Sequence, residues 1–268
     1  MKIKVVILLL ISVLMTACGR EDYGKKQRGE LNTVAVSEEI RVNNSEDLES
    51  FEHSFDIGYN LRSNMLQLGF LKLLHGAEMR ENFEKFPCEF SKEPPYEVIS
   101  TQWTNENDLA LLHNVEDALE RLCNSGRFIG TVDYVLEKTG LSPFEFFKRF
   151  GTYATEHSKP LVSLDDYTEM AFCYLSGLEG IDPSVLKDKM ICDRRCSNSS
   201  GKLPEVLKIK NPEIKKIRLS IENEEENRRK PGIKRGFALL ESEKAAVFAD
   251  YENKDPVTGK YVLKKVYY

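Results

Sequence analysis

Five cysteines lie in the body of the chain, and they have the widest choice of chemistry: Cys88, Cys123, Cys173, Cys192 and Cys196. In an oxidising compartment they would pair. Five cannot all pair within one chain, so two bridges with one thiol left over are expected, the pairing open. Cys192 and Cys196 stand in the run Cys-Asp-Arg-Arg-Cys. They could bridge across the end of a helix, or each could reach a more distant cysteine. Redox catalysis asks for an activated thiolate, usually in a pair with two residues between at a helix N-terminus. Here three residues intervene, and the pair follows a helical pattern. Arg194 and Arg195 would lower a thiol pKa, but structural bridges are the expected use.

Other chemistries have weaker signals. The histidines, His53, His75, His113 and His157, are isolated in sequence. Zinc wants three or four convergent ligands. His75 and Glu78 make a pair and not a site, so no metal and no cofactor are expected. No Gly-x-Ser-x-Gly elbow and no phosphate loop occurs. Asp165 and Asp166 open a helical pattern, where the helix dipole explains adjacent acids. No catalytic residue is assigned. Phe144, Phe146, Phe147 and Phe150 crowd into one short stretch. Three share a helix face and Phe146 points away from them. They are either buried on both sides or form an aromatic binding surface for a peptide, lipid or protein.

The N-terminus speaks of location. Lys2 and Lys4 precede an apolar run from Val5 to Met15, broken only by Ser12. A span needs roughly 20 apolar residues, so this run is short; it has the proportions of a secretory signal. Small residues then lead into a cysteine: Leu14-Met15-Thr16-Ala17-Cys18. This run resembles the lipobox of bacterial lipoproteins, with Met15 where leucine is commoner. The resemblance covers residues 1–18 alone. It implies that Cys18 carries diacylglycerol and that residues 1–17 are removed. Gly19, in place of Asp, resembles the pattern that sorts such proteins to the outer membrane, facing the periplasm. Two acyl chains anchor a protein stably, so the body has no need to bury a helix in the bilayer.

Charge divides the chain. Residues 201–268 carry 16 basic and 11 acidic side chains, whereas residues 18–200 carry 20 and 32. An acidic body is a poor ligand for nucleic acid, and no nucleic-acid partner is expected.

The elements follow from periodicity. Residues 18–44 read as the lipidated cysteine and a polar tether. A helical domain is expected over 45–200, with Ser45 as a cap. Its first apolar stripe runs through Ile57, Leu61, Met65, Leu68 and Leu71. Prolines 87, 94 and 95 mark a loop. A helix follows over 106–123 and another near 131–138, closed by Gly140. Ser142-Pro143-Phe144-Glu145 is a capping box with proline at the first helical position. Ser163 and Asp182-Pro183 open two more helices, the last ending near Met190. Beyond 200, Ile217, Leu219 and Ile221 alternate with polar residues as a half-buried strand does. Ala238–Leu240, Ala245–Tyr251 and Tyr261–Tyr268 are further strands, with a turn at Asp255–Gly259.

The expected architecture is α+β: a mostly helical orthogonal bundle followed by a small antiparallel β-rich segment at 201–268. The expected function is a membrane-anchored envelope lipoprotein that binds a protein or ligand partner. A cell-envelope hydrolase and a purely structural envelope component are the alternatives. Substituting Cys18→Ser should remove the lipid mass and release the protein from the membrane fraction. Retention of that variant in membranes, with the wild type itself unlipidated, would rule the anchor out.

Overall fold

The computed structural model describes residues 47–63, 65–157, 162–199, 202–223, 236–256 and 258–268. The signal sequence, Cys18, the tether and Ser45 therefore lie outside the described residues. The α+β class holds: among the described residues, eight helices accompany two small antiparallel sheets.

Helix α1 (Leu48–Asn60) is capped by Asp47, whose carboxylate accepts from Ser50 N at 3.0 Å. The hydrogen bonds from Ser50 hold that carboxyl below its usual range. The leucine stripe does not prolong the helix as expected. Leu66 and Leu68 are buried while Met65 and Gln67 face out. That is the two-residue alternation of extended chain. Leu73 N donates to Tyr96 O and Val98 N to Leu71 O, each at 2.9 Å. The leucine spacing fits both periods, and pairing with residues 96–98 decides between them.

A short α2 (Glu78–Glu81) leads into the hairpin of β1 (Cys88–Phe90) and β2 (Val98–Thr101), where a plain loop was expected. Pro87 precedes β1, and Pro94 and Pro95 lie in the connection. Neither strand contains a proline, so neither loses a ladder donor.

Helix α3 (Glu106–Leu119) runs on into a π-helical turn, Glu120–Asn124. Helix α4 (Ile129–Thr139) stops at Gly140, which adopts φ 66°. Helix α5 (Pro143–His157) begins at the expected box, with Glu145 N donating to Ser142 Oγ at 3.2 Å. The Glu145 carboxylate turns outward to Lys148 and Arg149. Helix α6 (Leu164–Leu175) is capped by Ser163, and α7 (Pro183–Ser197) by Asp182. Helix α7 runs past Met190, its expected end, so Cys192 and Cys196 lie inside it.

After a 3-10 turn (Glu205–Leu207) comes α8 (Ile214–Asn223), where the alternation of Ile217, Leu219 and Ile221 predicts a strand. In the helix, Ile217 and Ile221 are buried and Leu219 is half exposed. Ile214 joins them at helical spacing, and those three pack on the sheet. Five residues were too few to separate the two periods. Strands β3 (Ala238–Leu239), β4 (Ala245–Lys254) and β5 (Tyr261–Tyr267) form an antiparallel sheet in that order. Gly259 N donates to Asp255 O at the turn before β5.

The chain forms two compact units, and their boundary is not at 200. Among the described residues, one comprises residues 47–119 together with Ser142–Thr152; the other comprises Glu120–Leu141 and the described residues between Tyr153 and Tyr268. The C-terminal strands thus share a unit with α4, α6 and α7. Three short strands bury too little by themselves, and helices supply the missing face.

The first unit is built on aromatic packing. Phe51, Phe55, Phe144, Phe146, Phe147 and Phe150 are all fully buried. Phe144 meets Phe51 and Phe55 edge-on, with ring centroids 5.8 and 5.6 Å apart. Each such ring contributes about 1.5–3 kcal/mol by burial. In the same unit α3 and α5 meet at Gly151, where a methyl would intrude on the Asn114 carbonyl oxygen. In an open helix, glycine to alanine stabilises. Here Gly151→Ala should instead cost about 1–3 kcal/mol by overpacking, read as a lower thermal midpoint.

Candidate functional site

Helix α7 presents polar groups where its apolar stripe should continue. Leu186, Met190 and Asp193 follow one another at helical spacing, and Asp193 is 6% exposed. A buried carboxylate must be hydrogen-bonded, and this one is. Gly130 N donates to Oδ1 at 3.1 Å, while Thr131 N and Thr131 Oγ1 each donate to Oδ2 at 2.7 Å. Phe128, at the N-cap position of α4, makes no side-chain cap bond. Asp193 supplies the missing acceptor from another helix. Burial pushes its pKa up, against the pull of those hydrogen bonds.

Asp188 does the same for the β3–β4 turn. Glu241 N donates to it at 2.6 Å, Ser242 N at 2.8 Å and Ser242 Oγ at 2.6 Å. Arg195 Nη2 donates to Phe237 O at 2.8 Å. Burial lowers the Arg195 pKa, while Tyr251 beside it opposes the shift. Three buried charged side chains on α7 therefore hold α4, the β3–β4 turn and the approach to β3.

Beside Arg195 lies a groove of about 740 Å³ within the second unit. Leu207, Ile209, Ile214, Phe237 and Leu239 make its apolar lining. Asp165, Glu169, Lys202, Glu205 and Lys208 supply its charges. Asp165 is held by Arg194 Nη2 at 2.5 Å, and Lys208 pairs with Glu205 at 2.6 Å. Glu169 takes no ion-pair or hydrogen-bond partner among the described residues. The groove's described lining includes no histidine, serine, threonine or cysteine.

The residues expected to carry function are placed differently. Phe144, Phe146, Phe147 and Phe150 present no surface, since all four are buried. Phe146 does not point away: it packs on Phe147 and stacks on Phe150. Among the described residues no disulfide is formed, in contrast to the two expected bridges; Cys88, Cys123, Cys173, Cys192 and Cys196 keep their thiols. Cys88 is in the first unit and the other four are in the second. Cys192 and Cys196 are one turn apart on α7. Helical neighbours at that spacing hold Cβ atoms about 5–6 Å apart, against about 3.8 Å in a disulfide. Burial, helped by Asp193 and Asp188, pushes the Cys192 thiol up to about 12. That is the opposite of redox activation, despite the adjacent arginines.

The histidines do not converge. His75 meets the Tyr96 ring edge-on, and Glu78 pairs instead with Lys85. His157 stacks on Tyr153. His113 Nε2 lies 2.7 Å from Glu97 Oε1, with Phe70 stacked on its ring. Among the described residues no cluster of His, Cys, Asp or Glu is placed to hold a metal, and no helix is long and apolar enough to cross a membrane.

Asp188, Asp193 and the groove were missed from sequence. For Asp193 a signal existed: an acid at the next position of the stripe begun by Leu186 and Met190. The groove had none, because its lining brings together α6, α7, residues 202–209, α8 and β3.

With this arrangement in view, a family model described as "Protein of unknown function (DUF4080)" matches residues 84–251, more than half of the chain. The chain belongs to this family. No curated protein and no solved structure matches it.

Asp193→Asn leaves one oxygen for three donors and sets an amide NH2 against Thr131 N–H. It should lose about 1–3 kcal/mol, read from the urea midpoint. The sign with pH follows from the raised pKa. The contribution of Asp193 protonation to stability is fully present below the ordinary carboxylate pKa and is lost as pH rises through the raised one. The gap between wild type and Asp193→Asn should therefore widen on acidification from neutral pH.

Proposed function

We propose that this protein is a lipid-anchored envelope lipoprotein, held on the outer membrane facing the periplasm through Cys18. Its body binds a partner protein or ligand and performs no reaction of its own. The groove of the second unit carries this reading. It joins an apolar lining to a charged rim, the composition of a recognition site. The exposed Lys202 and Lys208 stand at its edge, and Glu169, which takes no partner among the described residues, lies within it. The N-terminal lipobox resemblance supports the location, and the polar stretch at 19–44 supplies a spacer between membrane and body.

The cell-envelope hydrolase reading asks for an acid, a histidine and a nucleophile in one cleft. The Glu97–His113 pair has no hydroxyl or thiol hydrogen-bonded to it among the described residues. It belongs to the first unit and is not among the residues that line the groove.

A photo-crosslinking amino acid placed at Lys202 or Lys208 in growing cells should yield one discrete adduct. The same group at Lys85, in the first unit, should yield none. Replacing Cys18 by Ser should weaken the Lys202 adduct, because the body leaves its partner's compartment surface. Adducts at Lys85 alone, or at none of the positions, would contradict the reading.

A further inference from the structure

The positive charge of the C-terminal segment is concentrated ahead of the sheet. Residues 201–235 carry 11 basic and 6 acidic side chains, whereas residues 236–268 carry five of each. In the structure Lys202, Lys208, Lys210, Lys215 and Lys216 are all exposed. Ile209 packs on the sheet's apolar cluster between Lys208 and Lys210. Helix α8 divides its sides in the same way. Ile214, Ile217 and Ile221 take the side that meets the sheet. Lys215, Lys216 and Leu219 share the opposite side at helical spacing. Leu219 is 50% exposed, and the Lys216 side chain 83%.

Glutamates answer part of this charge. Glu205 pairs with Lys208, Glu213 with Lys216 and Glu222 with Arg218. The first two pairs are exposed, and such pairs are weak, so the lysines keep most of their attraction for a larger anionic surface. Lysines at a bilayer surface meet lipid phosphates, and a leucine among them enters the headgroup layer.

We infer that the outer face of α8, with Lys208 and Lys210 before it, rests on the anionic phospholipid bilayer that carries the Cys18 anchor. The inference rests on the lipid-anchored reading and adds which face of the second unit meets lipid. Residues 19–46 reach at most roughly 100 Å when fully extended. The bilayer is therefore never farther from the body than the tether's own length, and an attraction too weak to recruit a free protein suffices to orient a tethered one. Residues 18–200, with 20 basic and 32 acidic side chains, are repelled by the same lipids. Charge thus selects the face. An acidic protein would also attract these lysines, but no tether holds it beside them.

The test reconstitutes the purified, lipidated full chain in vesicles of phosphatidylcholine, alone or with about a third phosphatidylglycerol. A photoactivatable phosphatidylcholine tracer in both reports, by mass spectrometry, which peptides touch lipid. Labelling of the peptide that holds Leu219 should be about tenfold higher in the anionic vesicles and should fall to the neutral level in roughly 0.5 M salt. Lys215→Glu with Lys216→Glu should abolish the difference. The same exchange at Lys85 and Lys92, in the first unit, should leave it intact. Circular dichroism checks that both variants fold. Labelling near Cys18 alone, or equal labelling of α8 with and without phosphatidylglycerol, overturns the membrane face while the anchor stands. A glutamate-rich peptide that binds α8 in solution while α8 stays unlabelled in vesicles would overturn it in favour of an acidic protein. If Cys18 carries no lipid, the anchor falls, and the same protein is sedimented with both kinds of vesicle. Salt-sensitive sedimentation with the anionic vesicles, lost in the α8 variant, then supports the face by itself; its absence removes both.

Discussion

The carboxylate of Asp193 is where the second unit is tied together. Two backbone amides and a hydroxyl of α4 point at it. Desolvating a carboxylate is costly, so the bond set must be complete to be tolerated. Asp188, on the same helix, binds the β3–β4 turn in the same way. Arg195, again on α7, takes the carbonyl of Phe237. The groove exists because α7 fixes its neighbours through polar bonds of definite direction. Apolar contact alone would leave their register free to slide.

The first unit relies on a different force. Phe51, Phe55, Phe144 and Phe147 interlock with edge-on rings, and Gly151 lets two helices approach where any side chain would intervene. Burial of rings is non-directional, but their quadrupoles favour tilted contacts over flat sandwiches. The cluster that the sequence left open between buried core and binding surface is thus the core. Aromatic density by itself does not distinguish the two roles. What distinguishes them is whether a second element brings more rings to the same place, and α1 does.

Helix capping was legible in the sequence because it is local. The Ser142-Pro143 and Ser163 starts, the Asp182-Pro183 start and the Gly140 stop all stand as read. So do the last three strands and the turn between β4 and β5. The misreadings share one cause. The leucines near 66–71 and the isoleucines near 217 fit both a helix and a strand over the few residues available. In the first case pairing with residues 96–98 chose extended chain. In the second, packing on the sheet chose helix. The cysteines were misread for a related reason, since α7 was expected to end before the pair that it in fact contains.

By itself the sequence determined the α+β class, most helix starts, and the N-terminal pattern that resembles a lipobox. Each rests on residues adjacent in the chain, where capping, proline and apolar run length act directly. Only the tertiary structure decided that the aromatic cluster is core, that Asp188 and Asp193 are cross-element caps, and that a groove opens beside β3. Those features depend on groups tens of residues apart meeting at hydrogen-bond distance. Asp193 and Thr131, separated by 62 positions, meet in that way. No local pattern encodes that meeting; it is set by which surfaces α7 can bury at once.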